Sequence, residues 1–310
     1  MSDPAPLGVY VHWPYCARIC PYCDFNVVRD RGRTVEQAAL ADAIVMDLEG
    51  QRALTGERRL LSIFFGGGTP SLMDPAQVAR VIETAKRLWS PANDLEISLE
   101  ANPTDAESDR FAALGNAGVQ RLSLGVQALD DDALKTLGRN HDAGAARRAM
   151  AAARRAFPRL SIDLIYARPG QTDAAWRAEL AEALAEGPEH VSPYQLTIEA
   201  GTAFDRAVGR GTLRVPNEDL AATLFEKQPR KFSKPQASTL TRCRTTPGAR
   251  RRGLGTTSSI GKAWTMSASV LGRTDVSPWP RDARPPPHTA RSASTWPPSR
   301  RSDSASRGKS

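Results

Sequence analysis

Residues 10–26 read Tyr-Val-His-Trp-Pro-Tyr-Cys-Ala-Arg-Ile-Cys-Pro-Tyr-Cys-Asp-Phe-Asn and place Cys16, Cys20 and Cys23 within a span of eight residues. Such crowding is poor geometry for disulfides and indicates a metal in a reducing cytosol. A structural zinc site takes four ligands, and an electron-transfer [4Fe–4S] cluster takes four cysteines. The only other cysteine, Cys243, lies in a region of different composition. Three thiolates leave one iron free for a non-protein ligand, so we expect a catalytic cluster, with zinc or an inert site as the alternative.

Around this loop, the first 200 residues alternate strand-like and helix-like patterns. Short apolar or β-branched runs predict buried parallel strands at 9–12, 60–65, 95–100, 121–125, 161–165 and 191–196. Helical patterns lie near 35–54, 75–89, 105–117, 142–156 and 174–186, and Thr34-x-x-Gln37 and Thr104-x-x-Glu107 look like capping boxes. Six such repeats predict an α/β fold, a partial (β/α)6 TIM-like barrel with its site at the C-terminal ends of the strands.

Glycine-rich or polar residues follow these strands, as a site at that end requires. The first strand leads to the cysteines and the second to Gly66-Gly67-Gly68-Thr69-Pro70. The third ends on Glu100-Ala101-Asn102-Pro103, the fourth leads to Gly125-Val126-Gln127, and the fifth contains Asp163. Glycines let the main chain approach a ligand closely, and the alternative is a turn that merely reverses the chain. No Lys follows in the Walker arrangement, which argues against a phosphate loop.

Residues 10–26 together with the strand-end motifs resemble the radical S-adenosylmethionine (SAM) enzymes. The resemblance is to the oxygen-independent coproporphyrinogen III oxidase family and its HemW-type haem chaperones in particular, and it covers about residues 7–227. It implies a radical SAM barrel holding a [4Fe–4S] cluster, with the unique iron chelated by the amino and carboxylate groups of SAM. One-electron reduction of the sulfonium then releases a 5′-deoxyadenosyl radical.

The resemblance also implies which residues surround the cofactors. Cys16, Cys20 and Cys23 hold the cluster, and Tyr10 and Tyr22 border the cluster and SAM. The methionine moiety meets backbone groups of Gly67, Gly68 and Thr69, and its carboxylate, the ribose or the adenine meets Glu100, Gln127, Arg139 and Asp163. Each of these last four is alternatively a strand-end salt bridge. No catalytic residue is assigned, and whether the protein is an enzyme stays open.

Two activities in this family compete. The oxidase abstracts hydrogen from a propionate and decarboxylates it, whereas the HemW type binds haem and passes it to respiratory proteins. The oxidases carry a fourth cysteine where this chain has Phe25, and a long N-terminal arm where only eight residues precede Val9. Both features favour the HemW type, in the cytoplasm or peripherally at the membrane. The implied partners are haem or a porphyrin, an electron donor and haem-accepting respiratory proteins. Ala167-Arg168-Pro169-Gly170 replaces the more usual Gly-Leu-Pro-Gly, which we interpret as variation outside the cofactor shell.

The composition changes near residue 227. Residues 228–310 hold 17 Lys+Arg against 3 Asp+Glu, whereas the first 227 residues hold 25 against 31. A basic tail is typical of nucleic-acid binding, but its tryptophans are not interleaved with basic residues as a stacking surface requires. The tail has no periodicity and too little apolar content to fold. We therefore predict a barrel core at 1–227, a disordered, non-native tail at 228–310, and no nucleic-acid partner.

A shift of reading frame accounts for this tail. Codons exist for Gly255–Thr274 that, read two nucleotides later, give HNLVYWKGVDYVGVGPGAHG, and Thr241–Gly248 can yield YEVSNHAR in the same frame. Both strings resemble C-terminal motifs of the HemW family, so we interpret the tail as a frameshift product that replaces the family's C-terminal domain. The longest apolar runs, such as Leu60–Phe65, are too short to span a bilayer, and we expect no signal peptide.

Overall fold

The computed structural model describes residues 4–216, 218–226, 239–240 and 265–269. The strands in this part of the chain are β1 (Pro6–Trp13), β2 (Tyr15–Cys16), β3 (Val28–Arg29), β4 (Arg59–Gly67), β5 (Ser90–Ala101), β6 (Arg121–Gln127), β7 (Arg159–Tyr166), β8 (His190–Gln195), β9 (Thr239–Leu240) and β10 (Thr265–Ser269). The helices are α1 (Thr34–Thr55), α2 (Pro75–Leu88), α3 (Asp105–Ser108), α4 (Phe111–Asn116), α5 (Asp131–Thr136), α6 (Ala143–Ala156), α7 (Asp173–Ala185), α8 (Ala203–Gly209) and α9 (Glu218–Glu226), with a 3-10 helix at Pro70–Leu72.

One parallel sheet forms the centre of the fold, with the strand order β10-β1-β4-β5-β6-β7-β8-β9. The strands from β1 to β8 of this sheet are the six that the sequence predicts, and helices connect them in the predicted alternation. The predicted α/β architecture, a partial barrel of six strand–helix repeats, is therefore confirmed. Beside it, β2 pairs with β3 in a separate parallel ribbon that brackets the cysteine loop.

The two faces of the sheet carry different side chains. One face is apolar and packs with the helices, and Leu99, Leu124 and Leu164 are fully buried in the larger of two hydrophobic clusters. The alternate positions are polar over β5 to β8, so the sheet presents serines, carboxylates and a histidine on its other side. The register pairs Glu100 with Ser123 and Asp163 with Ser192. Polar groups of neighbouring strands are thus brought side by side within the barrel.

Local chemistry decides two details of the helices. The helix predicted at 105–117 is broken into α3 and α4, because Arg110 lies between them and donates to the carbonyls of Leu72 (3.3 Å) and Met73 (2.9 Å). One half of the predicted capping box at Thr104 is confirmed, since the Glu107 amide donates to Thr104 Oγ1 at 3.3 Å, while the Glu107 carboxylate accepts the Asn102 amide instead. The box at Thr34 is wrong: α1 begins at Thr34 itself, behind Arg33, and no side chain caps it.

The region after residue 227 is described only at two strands. β9 pairs with β8 and β10 pairs with β1, each in parallel, so they extend the sheet at its two edges. The rest of the predicted disordered tail, including Cys243 and the predicted boundary at 227, lies outside the described residues. Among the helices in the described ranges, none has the length and apolar character needed to cross a membrane.

Candidate cofactor site

The cysteine loop begins at β2, just after β1, and ends at β3, which pairs with β2. Cys16 is buried at the end of β2, and its carbonyl accepts the amide of Asp30 at 2.7 Å. The Cys23 amide donates to the carbonyl of Cys20 at 3.1 Å, which folds the loop back between these two cysteines. All three thiols are free. The loop therefore presents three unpaired thiols at the predicted end of the barrel.

Burial favours the neutral form of two of these thiols. It raises the pKa of Cys16 to about 11 and raises the pKa of Cys23 as well. A bound metal reverses this preference, because its positive charge deprotonates a coordinating thiol. Among the described residues, no group of three His, Cys, Asp or Glu side chains is arranged around one metal ion. Cysteines that each bind a different iron of a cluster need not converge on one point.

The glycines after β4 are required by close packing. A Cβ on Gly68 would lie 2.6 Å from the carbonyl oxygen of Pro14, and one on Gly67 would lie 2.6 Å from the ring of His12. Gly67 also has a φ of 110°, which L side chains rarely adopt. The amides of Gly68 and Thr69 donate to the carbonyls of Trp13 (2.7 Å) and Tyr15 (2.8 Å). The glycine loop is therefore docked on the cysteine loop and is more than a turn that reverses the chain.

This docking changes which backbone groups the glycine loop can offer. The amide of Gly67 donates to Glu100 Oε2 at 3.2 Å, and the amides of Gly68 and Thr69 already have the carbonyl partners named above. The N–H groups of all three residues are thus used within the protein. A ligand that met this loop would meet carbonyl oxygens, which accept hydrogen bonds and suit an amino group.

Arg139 reaches from the segment after α5 to the cysteine loop. Its Nη1 donates to Cys20 Sγ at 3.0 Å and to the hydroxyl of Tyr22 at 3.4 Å. Its Nη2 donates to Asn102 Oδ1 and to the carbonyl of Gly125 at 3.1 Å. The buried Nε has no hydrogen-bond partner within the described part of the chain. Arg139 also lines a cavity of about 490 Å³, which Asp131, Lys135 and His141 line as well and which no other predicted site residue lines.

Two carboxylic acids lie deeper in the barrel. Ser123 Oγ lies within hydrogen-bond distance of both oxygens of Asp163, at 3.2 and 3.0 Å. Burial, together with the charge of Asp163, raises the pKa of Glu100 to about 8. Burial raises the pKa of Asp163 to about 6, against the opposing effect of the Ser123 hydrogen bond. Both side chains keep partial solvent access within the polar side of the sheet.

The remaining predicted residues border the same region. Tyr10 stacks on Phe64 with ring centroids 6.1 Å apart, and its hydroxyl lies 3.2 Å from His12 Nδ1. Gln127 ends β6 with a φ of 66°, an uncommon conformation for a residue with a side chain. Burial raises the pKa of both tyrosines, Tyr10 and Tyr22, which keeps them neutral donors.

Some of the predicted site residues are in direct contact with one another, and others are not. Cys20, Tyr22 and Arg139 are in direct contact, as are Gly67 and Glu100. Asp163 contacts Ser123, and no contact between Gln127 and another predicted residue is recorded within the described ranges.

Sequence reasoning missed Asn102, Glu107 and Ser123 as parts of this site. Asn102 donates to Thr69 Oγ1 at 3.0 Å and accepts from Arg139, and its amide donates to Glu107 Oε2 at 2.8 Å. The signal for Asn102 was present, because it follows Glu100 at the end of a predicted strand. For Ser123 the only signal was its place in β6, since a serine within a strand has no distinctive pattern.

Comparisons with known proteins agree with this geometry. Residues 10–184 match the model of the Radical SAM superfamily. Radical S-adenosyl methionine domain-containing protein 1, mitochondrial, of Mus musculus is 46% identical over 222 residues, covering 71% of this chain and 50% of the relative. Heme chaperone HemW of Escherichia coli (strain K12) is 36% identical over 226 residues, covering 72% of this chain and 58% of that protein.

A solved structure shares the fold. Coproporphyrinogen III oxidase (HemN) from Escherichia coli superposes with a TM-score of 0.62 at 24% identity, covering 73% of this chain and 51% of that one. The chain spans about half the length of the curated relatives that it matches. The family model covers more than half of the chain and includes the cysteine loop, the glycine loop and both carboxylic acids. The chain therefore belongs to the radical SAM superfamily.

Proposed function

We propose that the protein binds a [4Fe–4S] cluster through Cys16, Cys20 and Cys23 and binds SAM beside it. Membership in the radical SAM superfamily is the general support for both groups. The residues fit them: three free thiols lie on one loop, and the Arg139 guanidinium already donates to one of the sulfurs. A cluster bound here supplies one electron to the sulfonium of SAM.

Each remaining side chain has a role that its chemistry suits. Backbone carbonyls of Gly67 and Gly68 would accept from the amino group of SAM, whereas the Thr69 carbonyl already accepts the Leu72 amide at 3.0 Å. The unpartnered Nε of Arg139 offers a donor to the SAM carboxylate. Glu100 and Asp163 would accept hydroxyl groups of the ribose, and Gln127 would hydrogen-bond the adenine. Tyr10 and Tyr22 would exclude water where they border the cluster and SAM.

For the activity as a whole, we propose a HemW-like haem chaperone that delivers haem to respiratory proteins. The observation that carries this proposal is the 35–36% identity to proteins named Heme chaperone HemW along the barrel. Phe25, at the position of the oxidases' fourth cysteine, points the same way. An electron donor is the further partner that the cluster requires. The clustered free cysteines argue for the cytoplasm, with peripheral contact to the membrane where respiratory proteins receive haem.

The tail at 228–310 limits this function. If it is a frameshift product, the barrel keeps the groups for the cluster and SAM but lacks the family's C-terminal domain. We expect such a chain to take up the cluster and to bind haem weakly.

Anaerobic reconstitution of the full chain with iron and sulfide tests the proposal. We expect about four irons per chain, SAM binding by equilibrium dialysis, and a haem absorption band on titration. Incubation with coproporphyrinogen III is expected to give no decarboxylated product. Decarboxylation would overturn the chaperone proposal in favour of the oxidase.

Matched cysteine variants make the cluster assignment specific. C16S, C20S and C23S should each lose most of the bound iron, whereas C243S should keep it. Equal iron content in C20S and C243S would contradict the assignment of the three ligands.

A further inference from the structure

Asn102 connects the end of β5, the glycine loop and Arg139. It follows the end of β5, and its side chain lies between the glycine loop and Arg139. Its Nδ2 donates to Thr69 Oγ1 at 3.0 Å, while its Oδ1 accepts from Arg139 Nη2. A guanidinium only donates, so the amide oxygen must face Arg139 and the amide nitrogen must face Thr69. A side chain that accepts on one side and donates on the other meets this requirement.

The main chain of Asn102 is anchored by a buried carboxylic acid. Glu107 is 3% exposed, and its Oε2 accepts the Asn102 amide at 2.8 Å. The same oxygen accepts the hydroxyl of Ser71, which follows the glycine loop in the 3-10 helix. Through these two hydrogen bonds, Glu107 links the loop after β5 to the loop after β4. Asn102 cannot move away from Thr69 without breaking these contacts.

Asn102 also determines where Arg139 points. The guanidinium is planar and rigid, so fixing Nη2 fixes the direction of Nη1. Nη2 is held by Asn102 Oδ1 and by the Gly125 carbonyl at 3.1 Å, and Nη1 then lies 3.0 Å from Cys20 Sγ. Without Asn102, the Gly125 carbonyl alone orients Nη2, and the Tyr22 hydroxyl at 3.4 Å from Nη1 is a weaker contact, so the guanidinium is held less firmly against Cys20.

We propose that Asn102 is a positioning residue that holds Arg139 against Cys20 and thereby sets the reduction potential of the cluster. This inference rests on the proposed function. A charged donor aimed at a ligating sulfur stabilises the extra negative charge of the reduced cluster, and such outer contacts tune its potential. The hydrogen bond to Thr69 also holds the glycine loop in place, so the loop carbonyls proposed to bind SAM keep their position relative to the cluster.

A double-mutant cycle with N102A, R139M and N102A/R139M, measured on the reconstituted full chain without SAM, tests the proposal. The readout is the cluster reduction potential from a dye-mediated titration followed by electron paramagnetic resonance. We expect N102A and R139M to shift the potential to more negative values, and the double variant to match R139M, because Asn102 acts through Arg139. SAM affinity of N102A should also fall by about tenfold.

N93A is the matched control, since Asn93 is an exposed asparagine at the other end of β5. It should match the wild type in potential and SAM affinity. A wild-type potential in N102A, or a shift that adds fully to that of R139M, would overturn this inference alone. A wild-type chain that takes up no cluster would overturn the proposed function, and this inference with it.

Discussion

Arg168 and Glu179 form a buried ion pair, with Nη1–Oε1 and Nη2–Oε2 distances of 3.1 and 2.6 Å. Both side chains are only 7% exposed. Glu179 Oε1 also accepts the amide of Leu129 at 2.7 Å, so the pair joins the loops after β6 and β7 to α7. Arg168 stands in place of the more usual leucine, and through Glu179 it connects the loop after β7 to α7 and to the loop after β6.

Breaking this pair should destabilise the protein strongly. R168M leaves the Glu179 carboxylate buried without its charge partner, and we expect the free energy of unfolding to fall by about 3–5 kcal/mol. R168M/E179Q should recover part of this loss, because the glutamine oxygen still accepts the Leu129 amide without a buried charge. Urea denaturation followed by circular dichroism measures both.

The exposed pair Arg147–Glu182, on α6 and α7, is the control for that experiment. Its side chains are 44% and 42% exposed, so E182Q should cost less than about 1 kcal/mol. If R168M costs no more than E182Q, the pair Arg168–Glu179 does not stabilise the fold as we describe.

A methyl group on the glycine loop should separate it from the cysteine loop. G68A places a Cβ 2.6 Å from the Pro14 carbonyl oxygen, and we expect a loss of about 1–3 kcal/mol in stability and a lower iron content after reconstitution. G50A is the opposite control, because Gly50 lies within α1 and a methyl group added there would have no neighbouring atom within 4 Å. It should stabilise the protein by about 0.5–1 kcal/mol. Equal effects in G68A and G50A would contradict the docking of the two loops.

The raised pKa of Glu100 makes the ligand-free protein less stable at high pH. With a folded-state pKa of about 8, the folded chain holds a proton that the unfolded chain releases near its ordinary, lower pKa. The free energy of unfolding should therefore fall as the pH rises from about 4 to 8. E100Q removes the contribution of Glu100 and leaves that of Asp163, whose pKa burial also raises, and at pH 9 it should be more stable than the wild type by about 1–2 kcal/mol.

Urea titrations at pH 5 and pH 9 measure this difference, which should be smaller at pH 5. E83Q serves as control because Glu83 is 70% exposed on α2. If the free energy of unfolding of E100Q changed with pH as much as that of the wild type, the Glu100 carboxyl would not be held in its neutral form.

The frameshift hypothesis has its own test in the coding DNA. A single insertion or deletion near codons 227–240 should restore the pattern of the C-terminal motifs. The frame-corrected protein should bind haem at least about tenfold more tightly than the present chain, a difference of about 1.4 kcal/mol. Equal haem affinity in a soluble form of both chains would contradict the hypothesis.

Periodicity and spacing predicted the fold well, because parallel strands buried under helices leave a strong apolar signal. The six strands are where the short apolar runs placed them, and the cysteines and glycines lie together at the strand ends. Where side chains override local pattern, the prediction failed. Arg110 divides one predicted helix in two by contacts to carbonyls about 37 residues away in sequence.

The hydrogen-bond network within the site could not be predicted from the sequence. Asn102, Glu107 and Arg139 are linked by contacts that span as many as 37 residues, and only the tertiary fold decides such pairings. The occupied amides of the glycine loop are another example. Motif spacing predicts that glycines approach a ligand, but not that their N–H groups already bind the neighbouring loop.

The predicted cofactor residues all lie between Tyr10 and Asp163, from β1 to β7. A ribosome delivers the chain from its N-terminus, so the cysteine loop emerges first and meets Arg139 only after a further 119 residues. Every one of these groups is synthesised before codon 227 is decoded. A frame error at that point would therefore act on a nascent chain in which all the predicted cofactor residues have already been synthesised. A quality-control system that degrades only chains with an unfolded barrel would not remove such a chain.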